Sequence, residues 1–159
     1  MTTRAEQLAA RIEEGAATLA AFAETLSDTE WRKPMKDGRT VGVVVHHVAS
    51  MYPIEIDVAS KVAGGTAVND VPWEAVNQIN AKHATEFANT SKAEALELLR
   101  RNSRDAAAAV RKFTDAQLDF AAPFSLSYGA PMTTQFVVED HALRHPWHHL
   151  ARIRSALGK

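Results

Sequence analysis

The sequence predicts an all-α protein, a four-helix bundle with one additional short helix, on three observations. Apolar residues recur at three- and four-residue spacings along segments of about twenty residues, which places them on one helical face. These segments open on Thr, Ser or Pro and close at Gly or in polar loops. No segment reads convincingly as a strand, so no sheet is expected.

Thr2 or Thr3 precedes RAEQLAARIEEGAATLAAFAETL, a first helix in which Leu8, Ile12, Leu19, Phe22 and Leu26 fall near helical spacing. The loop SDTEWRKPMKDGR follows, with turns at Pro34 and Asp37-Gly38. Thr40 then caps TVGVVVHHVASMYPIEIDVASKVAGG. That segment is rich in β-branched residues, but its length and the spacing of Val45, Val48, Tyr52 and Ile56 select a helix. It is bent at Pro53 and stopped at Gly64-Gly65. Pro72, in a first-turn position, opens a shorter helix to about Asn89, carrying Trp73, Val76, Ile79, His83 and Phe87. Ser91 caps KAEALELLRRNSRDAAAAVRKF, whose Leu96, Leu99, Ala106, Val110 and Phe113 face the core. Residues 115–132 form an irregular connection, long enough for a bundle that it is expected to line something. The last helix begins at Thr133 or Thr134 and runs to Leu157, with Gly158 past its end.

A chain of 159 residues reads as one domain, 1–159, able to bury a core without staples. Lys and Arg total 18 against 19 Asp and Glu. That balance gives no electrostatic reason to expect nucleic acid or an anionic membrane as partner. The apolar run Val41–Val45 is far too short to span a bilayer and the N-terminus has no apolar signal core, so the protein is expected to be cytoplasmic. There is no cysteine. Disulfides, a Cys nucleophile and thiolate ligands are excluded, and a site for a soft metal must be built from imidazole.

Six of the seven histidines lie in two short windows on separate helices: His46 and His47, then His141, His145, His148 and His149. Residues four apart share a helical face, so His145 and His149 aim at a common point, with His141 one turn earlier. His141 and His149 are roughly 12 Å apart along the axis and cannot share an ion. A closed set therefore needs His46 or His47 from the other helix, giving three imidazoles with open positions, the arrangement of a catalytic site. Pro146 removes the backbone bond to Ala142 and disfavours helical geometry at His145, which bears on how that pair points.

TVGVVVHHVA resembles the second-helix signature of the DinB-like (DinB/YfiT) superfamily, and HPWHHLARIR resembles its last-helix signature. The helix order, Trp31 before the second helix and the long connection before the last agree with it. The chain departs from it at Leu150-Ala151-Arg152, where many members have Arg-Gly-Gln, and at Pro146 inside the motif. The resemblance implies a DinB/YfiT-type four-helix bundle and a divalent metal, zinc or nickel, held by His47, His145 and His149, with His46 or His141 as substitute ligands. It also implies a homodimer acting on a small-molecule substrate. Characterised relatives are thiol-dependent transferases and isomerases using mycothiol, bacillithiol or glutathione, so a low-molecular-weight thiol is an expected cosubstrate. An enzyme of that kind, or a hydrolase, activates a thiol or water at the ion. The alternative is a non-catalytic, stress-associated binding protein on the same bundle.

Around that centre, Glu139 and Asp140 are candidates to orient an imidazole, or are solvated charges favoured near a helix start. Trp73 and Tyr52 are candidates to border a substrate pocket, with Asn77, Asn80 and His83 on the side of Trp73. Arg152 is a candidate contact for an anionic group of the substrate.

Overall fold

Thr3 accepts a hydrogen bond from the Glu6 amide and starts α1 (Arg4–Glu24) in the computed structural model, which describes residues 2–159. A single turn, α2 (Asp28–Trp31), follows in the segment expected to be loop. Its capping box is Ser27 with Glu30, and it buries Trp31.

α3 (Val41–Ala63) begins at Thr40, whose hydroxyl accepts from the Val43 amide. Residues 41–49 are buried without exception, including His46 and His47. β-branched residues cost a helix a few tenths of a kcal/mol each. Burial on every side outweighs that cost: α3 packs most extensively on α5 (Lys92–Val110) and also meets the last helical run.

α4 (Trp73–Glu86) is the additional short helix. Pro72 occupies its N-cap, in extended geometry, rather than its first turn. α5 opens on a capping box of Ser91 and Glu94, and its buried Ala95, Leu96, Leu99, Ala106 and Val110 pack between α1 and α3.

The connection before the last helix contains what the sequence did not announce. After α6 (Asp115–Asp119), Ala121–Pro123 (β1) pairs antiparallel with Pro131–Thr133 (β2), with Ala122 opposite Met132. The expectation of no strand is thus corrected. These strands are three residues long and each contains a proline, so no alternation can develop in either. They are held instead by the chain beyond α3. The Val68 amide donates to the Pro123 carbonyl at 2.9 Å, and the Ser125 amide donates to the Val68 carbonyl at 2.8 Å. Tyr128, at φ 57, and Gly129, at φ 83, turn the hairpin.

The last run is continuous but irregular. α7 (Thr134–Val138) passes into a π-helical stretch, Glu139–Leu143, and then α8 (Arg144–Leu157), which ends at Gly158 in the left-handed region, φ 71. The π turn explains how Pro146 is tolerated. It widens the helix just where Pro146 lacks the amide that would bond Ala142 and would crowd that carbonyl. α1, α3, α5 and the α7–α8 run make the four-helix bundle, with α4 laid against α3. Among the described residues, no helix is long and apolar enough to cross a membrane.

Candidate metal centre

His47 projects from the buried half of α3, and His145 and His149 from the first two turns of α8. One ring nitrogen from each lies within 4.8 Å of the others. Nε2 of His47 and Nε2 of His145 are 3.1 Å apart. The rings of His47 and His149 meet edge-on, with centroids 5.3 Å apart. Two nitrogens bound to one ion at about 2.1 Å lie no more than about 4.2 Å apart, so the set is within roughly half an ångström of closing on a cation.

Burial decides the protonation state. It pushes His47 down to about 2, with His145 and Arg39 adding to the effect, and it depresses His149 strongly, with His145 and His47 adding. Both rings are therefore neutral at physiological pH, the form that offers a lone pair to a metal. The Nδ1 atoms of His47 and His149 are buried and have no hydrogen-bond partner among the described residues. Two imidazole nitrogens pointed at each other across 3.1 Å inside a protein are satisfied by one shared proton or by a cation between them, and a third converging imidazole favours the cation. The residues present fit a divalent ion.

Glu55 is the residue that sequence reasoning missed. It is buried, on α3, and its Oε1 lies 2.9 Å from His145 Nδ1, close although not aligned as a straight hydrogen bond. A carboxylate behind an imidazole fixes the ring and raises its basicity. Its signal was present in the sequence: Glu55 is the first charged residue of the segment that begins at Thr40, two turns beyond His47. Glu55→Gln should weaken divalent-metal affinity about 10- to 100-fold while the fold persists, measured by competition with a chromophoric chelator; undiminished affinity would remove Glu55 from the site.

The other candidates divide. Glu139 faces away from the histidines, accepting from Arg11 at 2.9 Å and from Gln135. Asp140 pairs with Arg144 at 3.1 Å, lies 3.8 Å from His141 Nε2, and borders the cavity described below. Tyr52 is wholly buried and does not line that cavity. Trp73 does, half exposed, with its indole N–H donating to the Leu126 carbonyl. Arg152 also lines it and donates to Asp37 at 2.9 Å. Asn80 borders the same cavity; Asn77 does not.

His46 and His83 form a separate pair, His46 Nδ1 lying 2.8 Å from His83 Nε2, with the His46 ring stacked on Phe87. His46 is thus engaged elsewhere, and His141 instead sets its ring edge-on to Phe124. Burial lowers both rings of the pair, His83 to about 4 with His46 adding. A folded-state value below the unfolded value of about 6.5 means that protons bind the unfolded chain more tightly. The stability is therefore fully present above pH of about 6.5 and is lost as pH falls toward 4. For this pair we expect a loss of about 1–2 kcal/mol over that window. The urea midpoint of chelator-treated protein should fall across it, and His83→Gln should flatten the slope; an unchanged slope would contradict the assignment.

A cavity of about 340 Å³ opens onto the three histidines. Met51, Ile54 and Val58 of α3 and Trp73, Val76 and Ile79 of α4 supply much of its apolar wall, Phe124 and Leu126 extend that wall, and Arg39, Arg144 and Arg152 supply its cations. The long connection thus does line something.

YfiT from Bacillus subtilis, described as a probable metal-dependent hydrolase with an unusual four-helix bundle topology, shares this fold. The two superpose with a TM-score of 0.69 at 20% identity, over 99% of this chain and 86% of that one. No curated protein matches the chain. The model of the DinB superfamily matches residues 11–153, nearly the whole bundle and all three converging histidines, and the chain belongs to that superfamily.

Proposed function

We propose that the protein is a metal-dependent enzyme of the hydrolase or thiol-dependent transferase and isomerase type, with His47, His145 and His149 as ligands to one divalent ion, zinc or nickel. The observation that carries this reading is the convergence of three imidazole nitrogens at a cavity wide enough for a small molecule. What a divalent ion supplies in such a set is Lewis acidity: a lowered pKa for water or a thiol, and hence a nucleophile near neutral pH. The protein's own groups do the rest. Glu55 stands 2.9 Å behind the His145 ring, burial keeps His47 and His149 neutral, and the apolar wall formed by α3 and α4 limits water around the reacting group.

The open cavity favours an enzyme over a non-catalytic binder, whose ion would be fully ligated or capped. The absence of cysteine agrees with a thiol borrowed from a cosubstrate. YfiT's description as a probable metal-dependent hydrolase supports the hydrolytic branch.

The test is metal analysis of protein purified without a histidine tag, followed by assays of zinc- and nickel-loaded protein against activated esters and against electrophiles with and without added thiol. One ion per chain and turnover that depends on it are expected. Absence of a stoichiometric ion removes the proposal, and thiol dependence separates its two branches.

A further inference from the structure

The charges around the cavity balance in number, Arg39, Arg144 and Arg152 against Asp37, Glu55 and Asp140, but not in placement. Arg144 is matched by Asp140 at 3.1 Å, and Glu55 stands behind His145 at 2.9 Å. Arg39 and Arg152, which both line the cavity, have a single carboxylate between them: Asp37 Oδ2 accepts from Arg39 Nη2 at 2.8 Å, from Arg39 Nε at 3.2 Å and from Arg152 Nη2 at 2.9 Å. A guanidinium has five N–H donors. Asp37 takes two from Arg39's side chain and one from Arg152, so most of both forks remain and this cluster by itself carries a net charge of +1. The Arg39 side chain is only 17% exposed, so its charge is poorly screened there. It lines the same cavity as His47, His145 and His149.

Much of the remaining wall is apolar, with Ile54 and Val58 of α3 and Trp73 and Val76 of α4. A cavity lined by a cationic cluster with free N–H donors and by a largely apolar wall complements a molecule of the opposite design. At roughly 30 Å³ for each non-hydrogen atom, about 340 Å³ holds about eleven.

We propose that the substrate is a small anionic amphiphile, a monocarboxylate or its equivalent, whose charged end is taken by Arg39 and Arg152 and whose apolar body lies between α3 and α4. This names the substrate class of the enzyme proposed above and rests on that reading for the site's role. The anion-binding cavity itself needs no ion.

Octanoate, which is of the right size, is the probe, compared with 1-octanol and octylamine by calorimetry and by intrinsic tryptophan fluorescence. Measurements are made on protein as purified and after treatment with a chelator, so that carboxylate binding to an ion is kept apart from binding to the arginines. Octanoate should bind the chelated protein at least about tenfold more tightly than 1-octanol, and octylamine should not bind measurably. Arg39→Gln and Arg152→Gln should each remove most of that preference and leave 1-octanol unchanged. Asp37→Asn, which releases both guanidiniums and keeps an acceptor for the Arg39 amide, should strengthen octanoate binding several-fold. Equal binding of octanoate and 1-octanol, or a preference untouched by all three substitutions, overturns the inference. The metal content of the same samples separates the two readings. A protein that holds no ion but prefers octanoate sinks the metal assignment and supports the anion site; one that holds its ion and shows no preference does the reverse.

Discussion

His145→Ala and His149→Ala proteins should each be purified without stoichiometric metal and with helix content nearly that of the parent. A zinc site with a full set of protein ligands contributes on the order of 10–16 kcal/mol, so one imidazole of three accounts for roughly 3 kcal/mol or more, at least a hundredfold in affinity. The fold loses far less. His149 is buried with a neutral ring whose Nδ1 has no partner among the described residues, and removing an unsatisfied polar group offsets part of the cavity left by its ring. α8 keeps Leu150 and Ile153 in the core. His47→Ala should behave in the same way. His141→Ala and His148→Ala should retain metal, because their rings lie outside the converging set. Mass spectrometry of the metal content and far-UV circular dichroism on one panel of variants decide the matter. Retained metal in the His145 or His149 variant would move the assignment to another pair.

How much of this was legible in the sequence depends on the range over which each signal acts. α3 and α5 were readable because the hydroxyl of a capping Thr or Ser and the apolar spacing behind it are local. The i, i+4 pair His145 and His149 was readable for the same reason. The choice between His46 and His47 was not fixed by spacing, since adjacent residues on a helix differ by about 100° and α3 is buried all round. Only the packing of α4 draws His46 to His83 and leaves His47 facing α8. The effect of Pro146 was also out of reach, because the adjustment occurs upstream, in a π turn for which Glu139–Leu143 carries no sequence signature. Glu55 and Arg39 share a different difficulty. Each carries an ordinary surface residue type, and only the closing of α3 against α8 and of the Asp37-Gly38 turn against the same cavity gives it a role.

Gly42 is where the sequence motif and the packing meet, and Gly42→Ala should destabilise the protein by about 2 kcal/mol or more. A Cβ at that position would stand 2.4 Å from Nε1, 2.5 Å from Cε2 and 2.9 Å from Cζ2 of Trp31. This indole cannot simply move aside. It is buried, its N–H donates to the Thr90 carbonyl at 3.1 Å, and its turn is pinned by the capping box of Ser27 and Glu30. Relief by shifting α2 is overpacking, at about 1–3 kcal/mol, and expelling the ring costs about 3–5 kcal/mol, as for its deletion. The gain of about 0.5–1 kcal/mol from replacing a helical glycine by alanine does not cover either. A fall in Tm of about 5–10 °C is expected. Gly15→Ala is the control. Its Cβ would meet Trp147 Nε1 at 2.9 Å and Pro146 Cγ at 3.0 Å, but Trp147 is 40% exposed and free to swing toward solvent, so the change should stay within about 1 kcal/mol of neutral. The decisive arm is the pair Trp31→Ala with Gly42→Ala: once the indole is gone the alanine should no longer be harmful, and the double variant should be no less stable than Trp31→Ala alone. If Gly42→Ala unfolds at the parent's midpoint, Trp31 does not depend on the bare backbone at Gly42.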